Sequence, residues 1–129
     1  MLDEPLTSFD VIVAAEIKEI LTNMNIKVLE EADLEGDDII GTYSKKFASD
    51  NINCYLLSGD RDLFQLIQKN IFIRIPKTKM GKTETEFYDE KRIKEEYGLE
   101  PLQLIETKAL MGDSPDEIPG CKGIGEKTA

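Results

Sequence analysis

The chain has 129 residues, of which 40% are apolar, which fits one globular domain and argues against disorder. It contains no histidine, which excludes Ser-His-Asp and Cys-His catalysis and histidine-rich zinc sites. Its 26 acids against 16 bases give a formal charge of −10, which taken alone disfavours nucleic acid as a partner.

In chain order, the acidic start MLDEPLTSFD lacks the basic and then apolar pattern of a signal peptide. No run reaches the roughly 18 apolar residues of a membrane span, so the protein is read as cytoplasmic with no membrane partner. Residues 9–24 carry Ile12, Ala15, Ile17, Ile20, Leu21 and Met24 at helical spacing. NIKVLEE follows as a short strand, and Asp33 is the expected N-cap of a helix over 34–49. Ile39, Ile40, Tyr43 and Phe47 would form its buried stripe, with Lys45 and Lys46 in water. CYLLS reads as a buried strand containing Cys54 as a small core residue, and Cys121 has no metal-ligand spacing to it. DLFQLIQKN reads as a short helix and IFIRIPKT as a strand closed by Pro76. KMGKTETEFYDE is a basic turn into a short edge segment, and helices follow over 89–97 and 101–111. The alternation predicts an α/β fold with a mostly parallel sheet flanked by helices.

Three acidic groups punctuate this order: Glu35-Gly36-Asp37-Asp38, Asp60-Arg61-Asp62 and Asp113-Ser114-Pro115-Asp116. Each alone is weak, since a chain this acidic holds roughly five acid pairs two apart by chance. Position adds weight. Asp60 and Asp62 follow directly on a buried strand, where open parallel sheets bind ligands. Glu35, Asp37 and Asp38 open a helix, where the dipole tolerates acids, although a plain acidic helix start reads the same way. Asp113 and Asp116 sit in a Gly- and Pro-containing loop that could be an ordinary turn. If the groups converge, two carboxylates 4 Å apart repel by about 4 kcal/mol at an effective dielectric of 20. Cations must then neutralise them, and all-oxygen ligands favour Mg²⁺ or Mn²⁺. Two such ions suit phosphodiester cleavage and make the acidic chain compatible with DNA.

The end of the sequence, GCKGIGEKTA, packs Gly120, Gly123 and Gly125 closely and then begins a helix at Glu126. Such a hairpin lets backbone N–H groups approach phosphate, and Lys122 and Lys127 add charge. The plain alternative is a helix–turn–helix connection.

The segments EGDDIIGTYSKKF, LLSGDRDLFQLI and YGLEPLQLIETKALMGDSPDEIPGCKGIGEKTA together resemble the 5′-nuclease domain family of bacterial DNA polymerase I, within the flap-endonuclease superfamily. The likeness covers residues 17–129. It implies a partial PIN-like fold, with residues 1–100 as the C-terminal part of the nuclease core and 101–129 as the start of a helix–two-turn–helix region. It implies a metal-dependent 5′→3′ exonuclease and 5′-flap endonuclease acting on DNA with two Mg²⁺ or Mn²⁺ ions. Carried over residue by residue, Glu35, Asp37 and Asp60 serve the first ion. Asp62, Asp113 and Asp116 serve the second, and Asp38 is a weaker match for direct ligation. Catalysis would rest chiefly on Asp37, Asp60 and Asp62. Gly120, Lys122, Gly123, Ile124, Gly125, Lys127 and Thr128 would hold duplex DNA, often in this family with K⁺. Gly36 stands where the family usually has alanine, and Lys122 replaces a common proline. The family's first two strands and basic arch have no counterpart before Met1, and the second helix of the DNA-binding motif has none after Ala129. The sequence is therefore expected to be a fragment, weak or inactive alone, with unpaired sheet edges that favour self-association. Two other readings stay open. One is a non-catalytic DNA-binding module using the hairpin alone. The other is a haloacid-dehalogenase-like phosphatase, suggested by SGDRD and GDSPD, although Phe64 stands where that motif needs threonine.

Overall fold

The computed structural model describes residues 8–129, and the acidic start at 1–7 lies outside them. Contacts divide the chain into two compact units with the boundary between Ile39 and Ile40. Among the described residues, no helix is long and apolar enough to cross a membrane.

The first unit contains helix α1, Ser8–Asn23. Its apolar spacing produces the expected helix, yet Ile12, Ile17, Ile20 and Met24 are each at least half exposed. Asn25 ends it in the left-handed region at φ 58°. Ile26 N–H donates to the Leu21 carbonyl and Asn25 N–H to that of Thr22, the paired bonds of a Schellman stop. The strand expected over NIKVLEE does not form. Asn25 is committed to the helix stop, and among the described residues 26–31 have no ladder partner. Lys18 and Glu30 pair at 2.5 Å.

Helix α2 is Gly36–Phe47. Asp33 is not its cap, since it sits at φ 66° in a preceding turn. Instead Asp38 reaches back to accept from Glu35 N–H at 3.2 Å, and Ile39 N–H donates to the Glu35 carbonyl. This is half of a capping box. The expected buried stripe is shifted. Tyr43 and Phe47 are exposed and pack on each other, tilted, at 5.7 Å between ring centres. The covered positions are Ile39, Ile40, Gly41 and Ser44, with Ala48 just beyond the helix. The helix is seated by its narrow side: a Cβ at Gly41 would touch the Leu66 side chain at 3.5 Å, and Ser44 is fully buried. Lys45 and Lys46 are exposed, as their sequence positions suggest.

The second unit is built on a three-stranded sheet in the order β1-β2-β3. Strand β1, Cys54–Leu57, pairs parallel to β2, Ile71–Lys79, which pairs antiparallel to β3, Lys82–Tyr88. The sheet is thus mixed rather than mostly parallel. Met80 at φ 50° and Gly81 at φ 77° form a two-residue hairpin loop, which fixes the antiparallel pair. Pro76 does not close β2. Ser58 N–H bonds the Arg74 carbonyl, so even positions of β2 aim their backbone groups at the β1 side. Pro76 lies beyond the end of β1, and its missing N–H therefore breaks no ladder bond.

The expected short helix after β1 is a 3₁₀ helix, Arg61–Leu66, running into a bridge between Gln68 and Ile71. Helix α3, Glu90–Tyr97, is capped by Asp89, which accepts from Arg92 N–H at 2.8 Å, and ends at Gly98. Helix α4 is Gln103–Met111. The core gathers the odd face of β2 (Ile71, Ile73, Ile75), Leu63, Phe64 and Ile67 of the 3₁₀ segment, Tyr88 and Ile93. Phe64 packs on Tyr88 at 4.6 Å between ring centres. The other sheet face carries a ladder, Tyr55–Phe72–Phe87, at 5.3 and 5.4 Å, with Tyr55 half exposed.

Candidate metal centre and nucleic-acid interface

The carboxyl end of β1 delivers the middle acidic group. Asp60 caps the 3₁₀ helix, its Oδ1 accepting from Asp62 N–H at 2.8 Å. Ser58 Oγ accepts from Asp60 N–H at 3.1 Å and steadies the bend. Asp62 then projects from the first turn. Tyr97 accepts from Arg61 at 3.0 Å and ties the same turn to α3.

Asp113 and Asp116 come from the loop after α4. Asp113 and Ile118 exchange backbone bonds at 2.8 Å each way, so the loop between them is closed at its base. Behind that base Gly112 and Gly120 face each other. At Gly112 a Cβ would lie 2.6 Å from the Ile118 carbonyl oxygen, and at Gly120 one would lie 2.4 Å from Gly112 N. Both have positive φ, 82° and 63°. Only glycine fits either place.

The two stretches meet. Oxygens of Asp62, Asp113 and Asp116 lie within 4.8 Å of one another. At their centre is a side chain that the motif reading missed. Lys108 Nζ is 2.6 Å from Asp62, 2.8 Å from Asp113 and 2.7 Å from Asp116. The sum of three carboxylates and one ammonium is two net negative charges. Burial alone would lower the Lys108 pKa, but hydrogen bonds to Asp113, Asp116 and Asp62 outweigh it and raise it, so the group stays protonated. In return the Lys108 hydrogen bond holds the Asp113 carboxyl below its usual value. A cavity of about 250 Å³ beside the cluster is lined by Arg61, Phe64, Tyr97, Leu104 and Met111. The signal that could have identified Lys108 is its spacing. It lies four residues before Gly112, one helical turn behind the acidic loop.

Glu35, Asp37 and Asp38 occupy the start of α2 as the sequence placed them, with Asp38 serving as the cap described above. The glycine hairpin is a run of turns. Ile124 N–H donates to the Cys121 carbonyl, and Thr128 and Ala129 N–H both reach the Gly125 carbonyl. The helix expected from Glu126 is present only as this one turn, since a single bonded turn fixes too few bonds to stand as a helix. Lys122, Lys127 and Thr128 are exposed, Ile124 is half-buried, and nothing lies within 4 Å of a Cβ placed at Gly123 or Gly125. Gly120, grouped with them in the sequence, belongs to the base of the acidic loop instead.

Residues 11–98 match the family model described as the 5′-3′ exonuclease, N-terminal resolvase-like domain. DNA polymerase I of Caldicellulosiruptor bescii is 42% identical over 88% of this chain, and that of Bacillus subtilis is 46% identical over the same share. The chain spans about 13% of the length of each polymerase. Among solved structures, T5 5′-exonuclease with bound zinc superposes with a TM-score of 0.66 at 22% identity, covering 95% of this chain and 46% of that one. A mutant of the same exonuclease gives 0.68 at 23%, covering 90% and 46%. These likenesses fix the fold as that of the T5 enzyme, a PIN-like α/β arrangement. On the family match and the polymerase relatives together, the chain belongs to the 5′-3′ exonuclease, N-terminal resolvase-like domain family.

Proposed function

We propose that this chain supplies the carboxylate centre and part of the duplex grip of a DNA 5′→3′ exonuclease and 5′-flap endonuclease. The observation that carries the reading is the convergence of Asp62, Asp113 and Asp116 on a single cation position. The donor set fits a hard divalent ion. All three donors are carboxylate oxygens, and the position already holds a cationic group within 2.8 Å of each acid. In this reading Asp62, Asp113 and Asp116 hold one Mg²⁺ or Mn²⁺, and Glu35, Asp37 and Asp60 serve the other, with Asp38 in support. Bound ions would activate water and stabilise the leaving oxygen of a phosphodiester. The protein's own part is positional: the closed base of the loop fixes Asp113 and Asp116, and Asp60 orients the turn that presents Asp62. Residues 1–100 then act as nuclease core and 101–129 as the DNA-holding region. Open backbone at Gly123 and Gly125, with Lys122 and Lys127 exposed, suits a phosphate strand. The phosphatase alternative loses its footing, because Phe64, where its threonine would stand, is 1% exposed in the core.

The test is Mn²⁺ titration by calorimetry together with cleavage of a 5′-flap DNA, each repeated on the Asp62→Asn/Asp113→Asn variant. Mn²⁺ binding and any cleavage should both be lost in the variant. Cleavage that persists in EDTA, or wild-type Mn²⁺ binding by the variant, would overturn the reading. DNA binding that survives EDTA in the absence of any cleavage would favour the hairpin acting alone.

A further inference from the structure

One ammonium is matched to three carboxylates. An ammonium has three donors, and those of Lys108 are engaged by Asp62, Asp113 and Asp116 at 2.6 to 2.8 Å. The acids arrive from two stretches, one 46 residues from Lys108 and the other five to eight residues from it. With nothing positive between them, three carboxylates this close would spread apart.

Resting on the metal reading above, we propose that Lys108 is a tethered counter-cation that holds the three carboxylates in ligating geometry until a divalent ion enters, and that competes with that ion. The ion and the ammonium cannot share one position, so entry requires Lys108 to swing out on its four-carbon stem. The net affinity is then the difference between two cations. Monovalent ions bring the same charge as the ammonium without its three hydrogen bonds, and they do not displace it. Divalent ions bring twice the charge and do. Lys108 thus acts as a selectivity device, and it also keeps the acidic loop folded when metal is scarce.

The experiment compares the wild-type chain with Lys108→Met and Lys108→Arg by Mn²⁺ calorimetry and by melting in EDTA, with Lys108→Gln as a second neutral variant should Lys108→Met fail to fold. The neutral variants should bind Mn²⁺ about tenfold tighter, the scale on which groups around a metal tune its affinity. Their metal-free melting temperature should fall, and their gain in melting temperature on adding Mn²⁺ should exceed that of wild type. Lys108→Arg, which keeps the charge, should stay near the wild-type affinity. A merely structural lysine would not tighten metal binding when removed. Equal or weaker Mn²⁺ binding by the neutral variants, with wild-type binding intact and sensitive to Asp113→Asn, overturns the counter-cation alone. No Mn²⁺ binding by any of the chains at millimolar concentration overturns the metal reading, and this proposal with it.

Discussion

The acidic loop and the glycine hairpin are neighbours in sequence and look alike in composition, yet their glycines do opposite work. At Gly112 and Gly120 the missing side chain is filled by backbone, with would-be Cβ contacts of 2.4–2.9 Å. At Gly123 and Gly125 it is filled by nothing within 4 Å. The first pair lets two strands of backbone touch and so aims two carboxylates. The second leaves backbone open to an approaching ligand. A run of glycines read only as a flexible grip merges a rigid base under two carboxylates with an open stretch of backbone. The difference teaches that a glycine is informative through what occupies the place of its side chain.

Substitution tests this contrast directly. The largest effect is expected at Gly120→Ala, where a methyl would run into the Met111–Gly112 peptide at 2.4–2.5 Å at a positive φ. A loss of about 3 kcal/mol in urea unfolding, accompanied by loss of Mn²⁺ binding, is expected. Unchanged stability there would break the comparison. Acid is the next probe. Lys108 holds the Asp113 carboxyl below its ordinary value of 3.8. The folded state therefore binds that proton less readily than the unfolded chain. The resulting stability is complete above pH 3.8 and is lost as pH falls through the lower, folded value. Lys108→Met should flatten this acid limb in urea midpoints taken from neutral to strongly acidic pH, and an unaltered limb would place the acid sensitivity elsewhere. Gly123→Ala pays only for its φ of 85° and should cost about 1 kcal/mol. Gly125→Ala is the smallest, within about 0.5 kcal/mol, but should weaken retention of nicked duplex DNA in a gel-shift assay. Full DNA retention by Gly125→Ala would remove the hairpin from the interface.

The acids were legible because chemistry forces them into short, dense motifs. Asp60 and Asp62 follow an apolar run that had to be a strand, and Asp113 and Asp116 follow one that had to be a helix. Lys108 was not legible as part of the site. A lysine in the last turn of a helix already has a sufficient reason to be there, in the helix dipole. The strand over NIKVLEE failed because alternation makes a strand only beside a hydrogen-bonding neighbour. Pro76 misled in the opposite sense, since a proline ends a strand only where its nitrogen faces a partner. Tyr43 and Phe47 share the helical spacing of Ile39 and Ile40 yet lie on the exposed side of α2. The close approach of Leu66 selects glycine at 41, and Ser44 is the buried position one turn on.

The β2–β3 hairpin carries a further consequence, in the order of assembly. Its Met80-Gly81 loop brings together residues adjacent in the chain, and such hairpins close within about 1–10 μs. The parallel β1–β2 pair needs a longer excursion, and the Asp62–Lys108 contact spans 46 residues. Loop-closure entropy therefore ranks the acidic centre late in folding. The acidic centre is completed late, on a frame that the local β2–β3 hairpin sets early.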